Sequence, residues 1–194
     1  MAKITRDSLM TLEAYAKARL DFRAKVIEHK KVRTVHVGAH VTLIFEDELT
    51  MRYQVQEMLR VEKIFEEAGI NDELEAYNPL IPDGSNWKAT MMIEYAEVDE
   101  RQRMLAKLIG IEDQVWVRVA GHDKVNAIAD EDLDRSRDDK TASVHFLRFE
   151  LTNVMVQSLK SGAALAIGVD HTNYSASVDP VAAPIRASLL VDLI

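Results

Sequence analysis

Five polar or charged side chains fall on the apolar faces of two predicted helices. On a helix that advances about 100° per residue, Glu62 projects near the centre of the apolar sector of a helix predicted over residues 50–68. Gln54 falls in the same sector and Glu57 lies at its edge. Arg19 and Arg23 project in the same way from a helix predicted to begin at residue 7 or 8 and to end near residue 30. Because a buried charge without a partner costs several kcal/mol, the sequence predicts that these groups find partners, water or a ligand.

Two interpretations of this group stay open. In the first, the arginines and glutamates form a structural network that fixes the two helices to each other. In the second, they line a polar pocket for an anionic or redox-active small molecule, in which a glutamate acts as general acid–base and an arginine orients the substrate. If the assigned faces are buried, an arginine of the first helix lies within ion-pair distance of Glu57 or Glu62, with Gln54 nearby.

The histidines and cysteines indicate no bound metal or cofactor. The chain has no cysteine, which excludes disulfides, thiolate nucleophiles and iron–sulfur ligation by this chain alone. None of the six histidines follows a Glu or Asp by three residues, the spacing of di-iron bundle proteins. His36 and His40 lie on one predicted strand, where four residues span about 13 Å, too far for two ligands of one ion. His145 is predicted to be a hydrogen-bonded structural histidine, and the carboxylates of residues 130–139 lack the spacing of a calcium loop.

Composition limits the remaining function classes. The chain has 194 residues and a net charge of -8, which would repel a phosphate backbone, so we expect no nucleic-acid binding. Glycine-rich phosphate loops and nucleophile elbows are absent from the sequence. The first seven residues lack the apolar core of a signal peptide, and no apolar run is long enough to cross a bilayer. We therefore predict one cytoplasmic domain over residues 1–194 that does not contact a membrane.

The order of helical and strand patterns predicts an α+β fold. Beyond the two long helices, a short helix is predicted over residues 99–108, a further helix over 152–161 and a terminal helix from Asp179-Pro180 onward. Strands are predicted over residues 35–45, 87–95, 115–120, 125–129, 144–151 and 165–169. Together these elements predict a mixed or mainly antiparallel sheet of about six strands, on which the long N-terminal helix, the second long helix and the C-terminal helix pack. The strand over residues 35–45 is predicted to be central or nearly so, with Val37, Val41 and Leu43 buried.

Several segments resemble a bacterial family, domain of unknown function 3501. They are GAHVTLIFE at residues 38–46, TMRYQVQEMLRVE at 50–62, YNPLIP at 77–82, ATMMIE at 89–94, VHFLRF at 144–149 and Asp170-His171. The resemblance covers most of the chain and supplies no catalytic residues. Because relatives are often encoded beside rubrerythrin-like and iron–sulfur oxidoreductase genes, the resemblance implies an accessory role in redox or peroxide metabolism.

Two functional hypotheses follow. The chain is a non-catalytic accessory or binding protein that works with a redox partner protein, without a cofactor of its own. Alternatively, it is an enzyme that acts on a small anionic substrate through the Arg/Glu group. The sequence leaves the oligomeric state open, and a homodimer is possible.

Overall fold

The structure is a computed structural model that describes residues 3–131, 135 and 139–194. It confirms the α+β class and the antiparallel pairing. In the described residues, the helices are α1 (Leu12–Lys31), α2 (Glu48–Val61), α3 (Glu67–Tyr77), α4 (Val98–Lys107), α5 (Asn153–Lys160) and α6 (Ala183–Leu190). The strands are β1 (Thr34–Val37), β2 (Val41–Glu46), β3 (Asn86–Ile93), β4 (Val115–Val119), β5 (Lys124–Asn126), β6 (Ile128–Ala129), β7 (Val144–Glu150), β8 (Leu165–His171) and β9 (Tyr174–Val178). Most of residues 130–139, whose carboxylates lack the spacing of a calcium loop, lie outside the described residues.

The strands divide over two antiparallel sheets. One has five strands in the order β1-β2-β3-β7-β6, and the other has four in the order β5-β4-β8-β9. Apolar side chains from both sheets, together with α5 and α6, form one large core that includes Phe45, Trp87, Phe149 and Ile167. The single sheet of about six strands expected from the sequence is therefore replaced by two sheets that share a core.

Helices α2 and α3 form a second, smaller hydrophobic cluster. Its buried members include Met51, Val55 and Leu59 of α2 and Ile70 and Leu74 of α3. Within the described residues, no helix is long and apolar enough to cross a bilayer.

Residues 35–45 form a hairpin where the alternating pattern predicts one long strand. Gly38 has a φ of 75°, and Val37 pairs directly with Val41 across the turn. Because the two paired valines are four positions apart, the apolar alternation passes through the turn without changing face. The predicted burial of Val37, Val41 and Leu43 is confirmed, and β2 lies inside the five-stranded sheet while β1 lies at its edge.

Helix boundaries differ from the sequence prediction at three places. The N-terminal helix begins at Leu12, where Thr11 accepts a hydrogen bond from the amide of Ala14, and not at residue 7 or 8. The helix predicted over residues 50–68 is two helices, because α2 ends at Val61 and Lys63 adopts a positive φ of 56° before α3 begins. The terminal helix begins only at Ala183, since strand β9 and the segment after it occupy the preceding residues.

A buried ion pair fixes the C-terminal segment to the hairpin. Arg33 is 1% exposed and donates to the carbonyl oxygens of Phe45 and Glu46 and, at 2.5 Å, to the carboxylate of Asp192. The indole of Trp87 donates to the carbonyl oxygen of Leu189 at 2.9 Å. These contacts hold α6 and the residues that follow it against β2 and β3 of the five-stranded sheet, so the charge of Arg33 is used within the fold.

Candidate ligand-binding site

The predicted Arg/Glu group is represented in the structure by one tight cluster around Glu57. Arg19 donates to both carboxylate oxygens of Glu57, at 2.7 Å from Nε and 2.8 Å from Nη2. The hydroxyl of the fully buried Tyr15 donates to the same carboxylate at 2.6 Å, and Arg60 donates at 3.3 Å. The cluster therefore joins α1 to α2.

Both carboxylate oxygens of Glu57 accept hydrogen bonds, and these shift the pKa values of the cluster. The hydrogen bonds from Arg19, with those from Tyr15 and Arg60, lower the pKa of Glu57 to about 2. Burial, reinforced by the Glu57 carboxylate, raises the pKa of Tyr15 well above its usual range. A carboxylate with so low a pKa is a poor general base at neutral pH.

The other predicted members of the group lie apart from this cluster. Arg23 and Glu62 are exposed and Gln54 is half-buried, so the prediction that the first two project from buried faces is wrong. Helix α1 buries Tyr15 and leaves Leu20 75% exposed. The buried face of α1 therefore differs from the face that the sequence predicted to be buried. Glu62 follows the last residue of α2 as its C-cap, so the helical projection does not extend to it.

A second polar cluster lies inside the core around His145, which is fully buried. Its Nδ1 lies 2.6 Å from the carboxylate of Asp130, and its Nε2 lies 2.9 Å from the hydroxyl of Thr141 and 3.1 Å from the carbonyl oxygen of Ala142. Thr141 in turn donates to Glu112 at 3.2 Å. The chain of hydrogen bonds connects the start of β7 to the 3-10 turn before β4.

This cluster brings potential metal ligands together. Donor atoms of Glu112, Asp130 and His145 lie within 4.8 Å of one another. Both ring nitrogens of His145 are already engaged by protein groups, and Asp130 also pairs with Arg135 at 3.2 Å. We therefore interpret the cluster as a buried structural network, in line with the role predicted for His145.

His36 of β1 and His40 of the turn between β1 and β2 bind different partners. His36 Nδ1 lies 3.0 Å from the hydroxyl of Thr42, and His40 Nδ1 lies 2.9 Å from the carbonyl oxygen of Glu94. The ring of His40 stacks on Tyr95 with centroids 4.0 Å apart. Neither histidine belongs to a metal-ligand cluster among the described residues.

A cavity of about 400 Å³ lies on the outer face of the five-stranded sheet. We call it the Lys88 cavity. Its apolar wall comes from Ala76 of α3, the following turn with Pro79 and Leu80, and Phe146 of β7. Lys88 and Phe146 face it because their strand neighbours Trp87 and Leu147 point into the core on the opposite side. The volume lies within the range of small-molecule sites, about 300–1,000 Å³.

Four charged side chains line the Lys88 cavity, two of each sign. Arg148 and Glu131 form a two-pronged ion pair, with both nitrogen–oxygen distances 2.8 Å, and Arg148 also pairs with Glu150 at 2.5 Å. Glu75 is exposed at the rim. The charge of Arg148 is thus paired with two carboxylates.

Lys88 is the cation of the cavity that lacks such a partner. It lies directly opposite Arg148 on one neighbouring strand and opposite Glu46 on the other. The carboxylate of Glu46 accepts a hydrogen bond from Thr90 at 2.7 Å, and Lys88 forms no ion pair with any residue that the structure describes. Burial, and then the positive charge of Arg148, lower the pKa of the half-buried Lys88 ammonium.

Sequence reasoning did not identify Lys88 as a site residue. The alternation of Asn86–Ile93 places Lys88 opposite the core residues, a position typical of a solvated lysine. The signal that could have revealed it is Met92 on the same face, since an apolar residue there indicates that this face is covered as well.

Comparison with known proteins agrees with the resemblance seen in the sequence. A family described as "Protein of unknown function (DUF3501)" matches residues 3–193. A crystal structure at 1.90 Å of a novel protein of unknown function from Burkholderia pseudomallei K96243 is 55% identical, with a TM-score of 0.92 and complete coverage of both chains. No curated protein matches the chain. The chain therefore belongs to the DUF3501 family.

Proposed function

We propose that this protein binds a small, largely apolar molecule in the Lys88 cavity. A single oxygen-bearing head group of the ligand accepts a hydrogen bond from the Lys88 amino group. The observation that carries the proposal is a half-buried lysine without an ion-pair partner, among the described residues, in a cavity of small-molecule size.

The lining of the cavity supports this ligand class. Leu80, Phe146 and Pro79 offer apolar surface for the body of the ligand. The charges of Arg148 and Glu131 neutralise each other, and so do not attract a ligand that carries several charges. Among the described residues that line the cavity, Lys88 is the cation whose amino group is paired with no carboxylate.

The arrangement of Lys88 also has an energetic cost that a ligand would offset. Like charges directly opposite each other on neighbouring strands are destabilising, and Lys88 faces Arg148 in this way. A ligand oxygen at Lys88 would replace the water that burial removes from the ammonium group. Ligand binding therefore gives a physical reason for a lysine at this position.

The Glu57 cluster supports the alternative enzyme less well. Its carboxylate accepts hydrogen bonds from three side chains, and neither Glu57 nor Glu62 lines the Lys88 cavity. The accessory role in redox or peroxide metabolism, the redox partner protein, the cytoplasmic location and the possible homodimer stay predictions.

Isothermal titration calorimetry tests the proposal with two probes that have the same branched carbon chain and differ in their head group. We expect 4-methylpentanoate to bind and 4-methylpentylamine, which offers no acceptor oxygen, not to bind. Because a hydrogen bond to a charged group contributes about 1.5–3 kcal/mol, Lys88→Met should weaken binding of the carboxylate at least about tenfold. Lys160→Met, which removes an exposed lysine at the end of α5, is the matched control and should bind like the wild type.

Equal binding of the amine and the carboxylate would contradict the proposal. So would a Lys88→Met variant that binds 4-methylpentanoate as tightly as the wild type, or a wild-type protein that binds neither probe.

A further inference from the structure

Lys88 differs from three surface lysines in the surroundings of its amino group. The amino groups of Lys17, Lys31 and Lys124 lie 2.8, 2.7 and 2.5 Å from carboxylate oxygens. Lys88 has no carboxylate partner among the described residues, and Arg148 lies opposite it. Burial and then the Arg148 cation lower the pKa of Lys88, against the smaller opposing effect of the Glu131, Asp83 and Glu150 carboxylates. They favour the neutral amine, which is the nucleophilic form of lysine.

We propose that the Lys88 amino group forms a Schiff base with the carbonyl group of an aldehyde or ketone bound in the Lys88 cavity. This inference rests on the proposed binding function and names the substrate class of the same site. The apolar wall formed by Leu80 and Phe146 places the body of the ligand beside the amine, and the cavity has room for a molecule of this size.

The reaction is a condensation that needs no oxidant or reductant. The nitrogen lone pair attacks the carbonyl carbon, and the π electrons move to the carbonyl oxygen. Both protons of the neutral amine end on that oxygen, which leaves as water as the C=N bond forms. The lowered pKa of Lys88 increases the fraction of neutral amine available at neutral pH.

The neighbours of Lys88 on the adjacent strands form no ion pair with its amino group among the described residues. Glu131 accepts two hydrogen bonds from Arg148. One carboxylate oxygen of Glu46 accepts a hydrogen bond from Thr90, and the other is buried without a hydrogen-bond partner among the described residues. The three strands β2, β3 and β7 thus place the amine opposite Arg148 on one side and Glu46 on the other.

Reductive trapping tests the inference on the full chain. Wild-type protein is incubated with 4-methyl-2-pentanone and sodium cyanoborohydride at neutral pH, and the modified lysine is identified by peptide mass spectrometry. The expected product gains the mass of the ketone less one oxygen atom. We expect labelling of Lys88 at least about tenfold above that of the exposed Lys160, because burial lowers the pKa of Lys88 and so increases its fraction of neutral amine.

One variant and one further probe make the outcome decisive. Lys88→Arg keeps the positive charge but cannot form an imine, so trapping should be lost at this site while the fold is kept. Labelling spread evenly over surface lysines, or absent from Lys88, would overturn the inference. If Lys88 is not labelled but 4-methylpentanoate still binds in a Lys88-dependent manner, the Schiff base is refuted and the binding function stands. Loss of both results refutes both proposals.

Discussion

Replacing Glu57 with glutamine tests whether the cluster that joins α1 to α2 is structural. Glutamine keeps the size of the side chain and can still accept the hydrogen bond from Tyr15, but it loses the negative charge that binds Arg19 at 2.7 and 2.8 Å. A hydrogen bond to a charged group contributes about 1.5–3 kcal/mol. Because the side chains of Glu57 and Arg19 are 17% and 30% exposed, we expect the lower end of that range, a loss of about 2 kcal/mol in the free energy of unfolding.

The alanine variant should cost more than the glutamine variant. Glu57→Ala also leaves the hydroxyl of Tyr15, which is fully buried, without its acceptor. An unsatisfied buried donor costs about 1–3 kcal/mol, so the total loss should be about 3 kcal/mol or more.

Urea unfolding at pH 7 measures these differences, with Glu62→Gln as the matched control. Glu62 is exposed at the C-cap of α2 and should cost less than about 0.5 kcal/mol. A Glu57→Gln variant as stable as the wild type would refute the structural role, as would a Glu62→Gln variant that loses as much stability as Glu57→Gln.

The pH dependence of the same difference gives an independent check. The pKa of Glu57 is lowered from 4.5 to about 2, so the folded protein holds its carboxylate ionised more strongly than the unfolded chain does. The stabilisation is therefore present above about pH 4.5 and is lost as the pH falls through 2. The stability difference between wild type and Glu57→Gln should shrink over this range, and a constant difference would contradict the origin assigned to it.

Four further substitutions test the packing of the fold by the same unfolding measurement. Gly168→Ala should cost about 1–3 kcal/mol, because a Cβ at this position would overlap with the indole of Trp116, and a stability within about 0.5 kcal/mol of wild type would contradict the packing. His145→Ala should cost about 3 kcal/mol or more, since it empties a fully buried site and removes a hydrogen-bond partner of Asp130; a small loss would indicate that the cluster is not structural. Phe45→Ala in the core should cost about 3–5 kcal/mol. Leu20→Ala on the exposed side of α1 should cost less than about 0.5 kcal/mol. If the two variants lose similar amounts of stability, the assigned exposed face of α1 is refuted.

The parts of the fold that the sequence predicted well are those with a strong, uninterrupted pattern. The predicted strand over residues 87–95 corresponds to β3, and the predicted helix over residues 99–108 corresponds to α4. The hairpin at Gly38 was missed because its turn preserves the alternation of buried residues. Strand β9 was missed because its residues are small, polar or half-exposed and give no clear apolar face.

The candidate site was only partly accessible to sequence reasoning. The helical projection correctly selected Glu57 as a residue that pairs with an arginine, because a glutamate and an arginine near apolar faces must find partners. The same projection failed for Glu62, because no residue pattern showed that α2 ends at Val61. Lys88 could not be selected among the lysines, since its lack of a partner depends on which side chains face it from the two neighbouring strands.

A crystal structure of the protein soaked with 5-bromopentanoate tests the central claim most directly, because the anomalous signal of bromine locates the ligand without ambiguity. We predict a bromine peak in the Lys88 cavity, near Leu80 and Phe146, and a carboxylate oxygen within about 3 Å of the Lys88 amino group. A bromine peak only at another site, or a ligand in the cavity whose carboxylate points away from Lys88, would contradict the account.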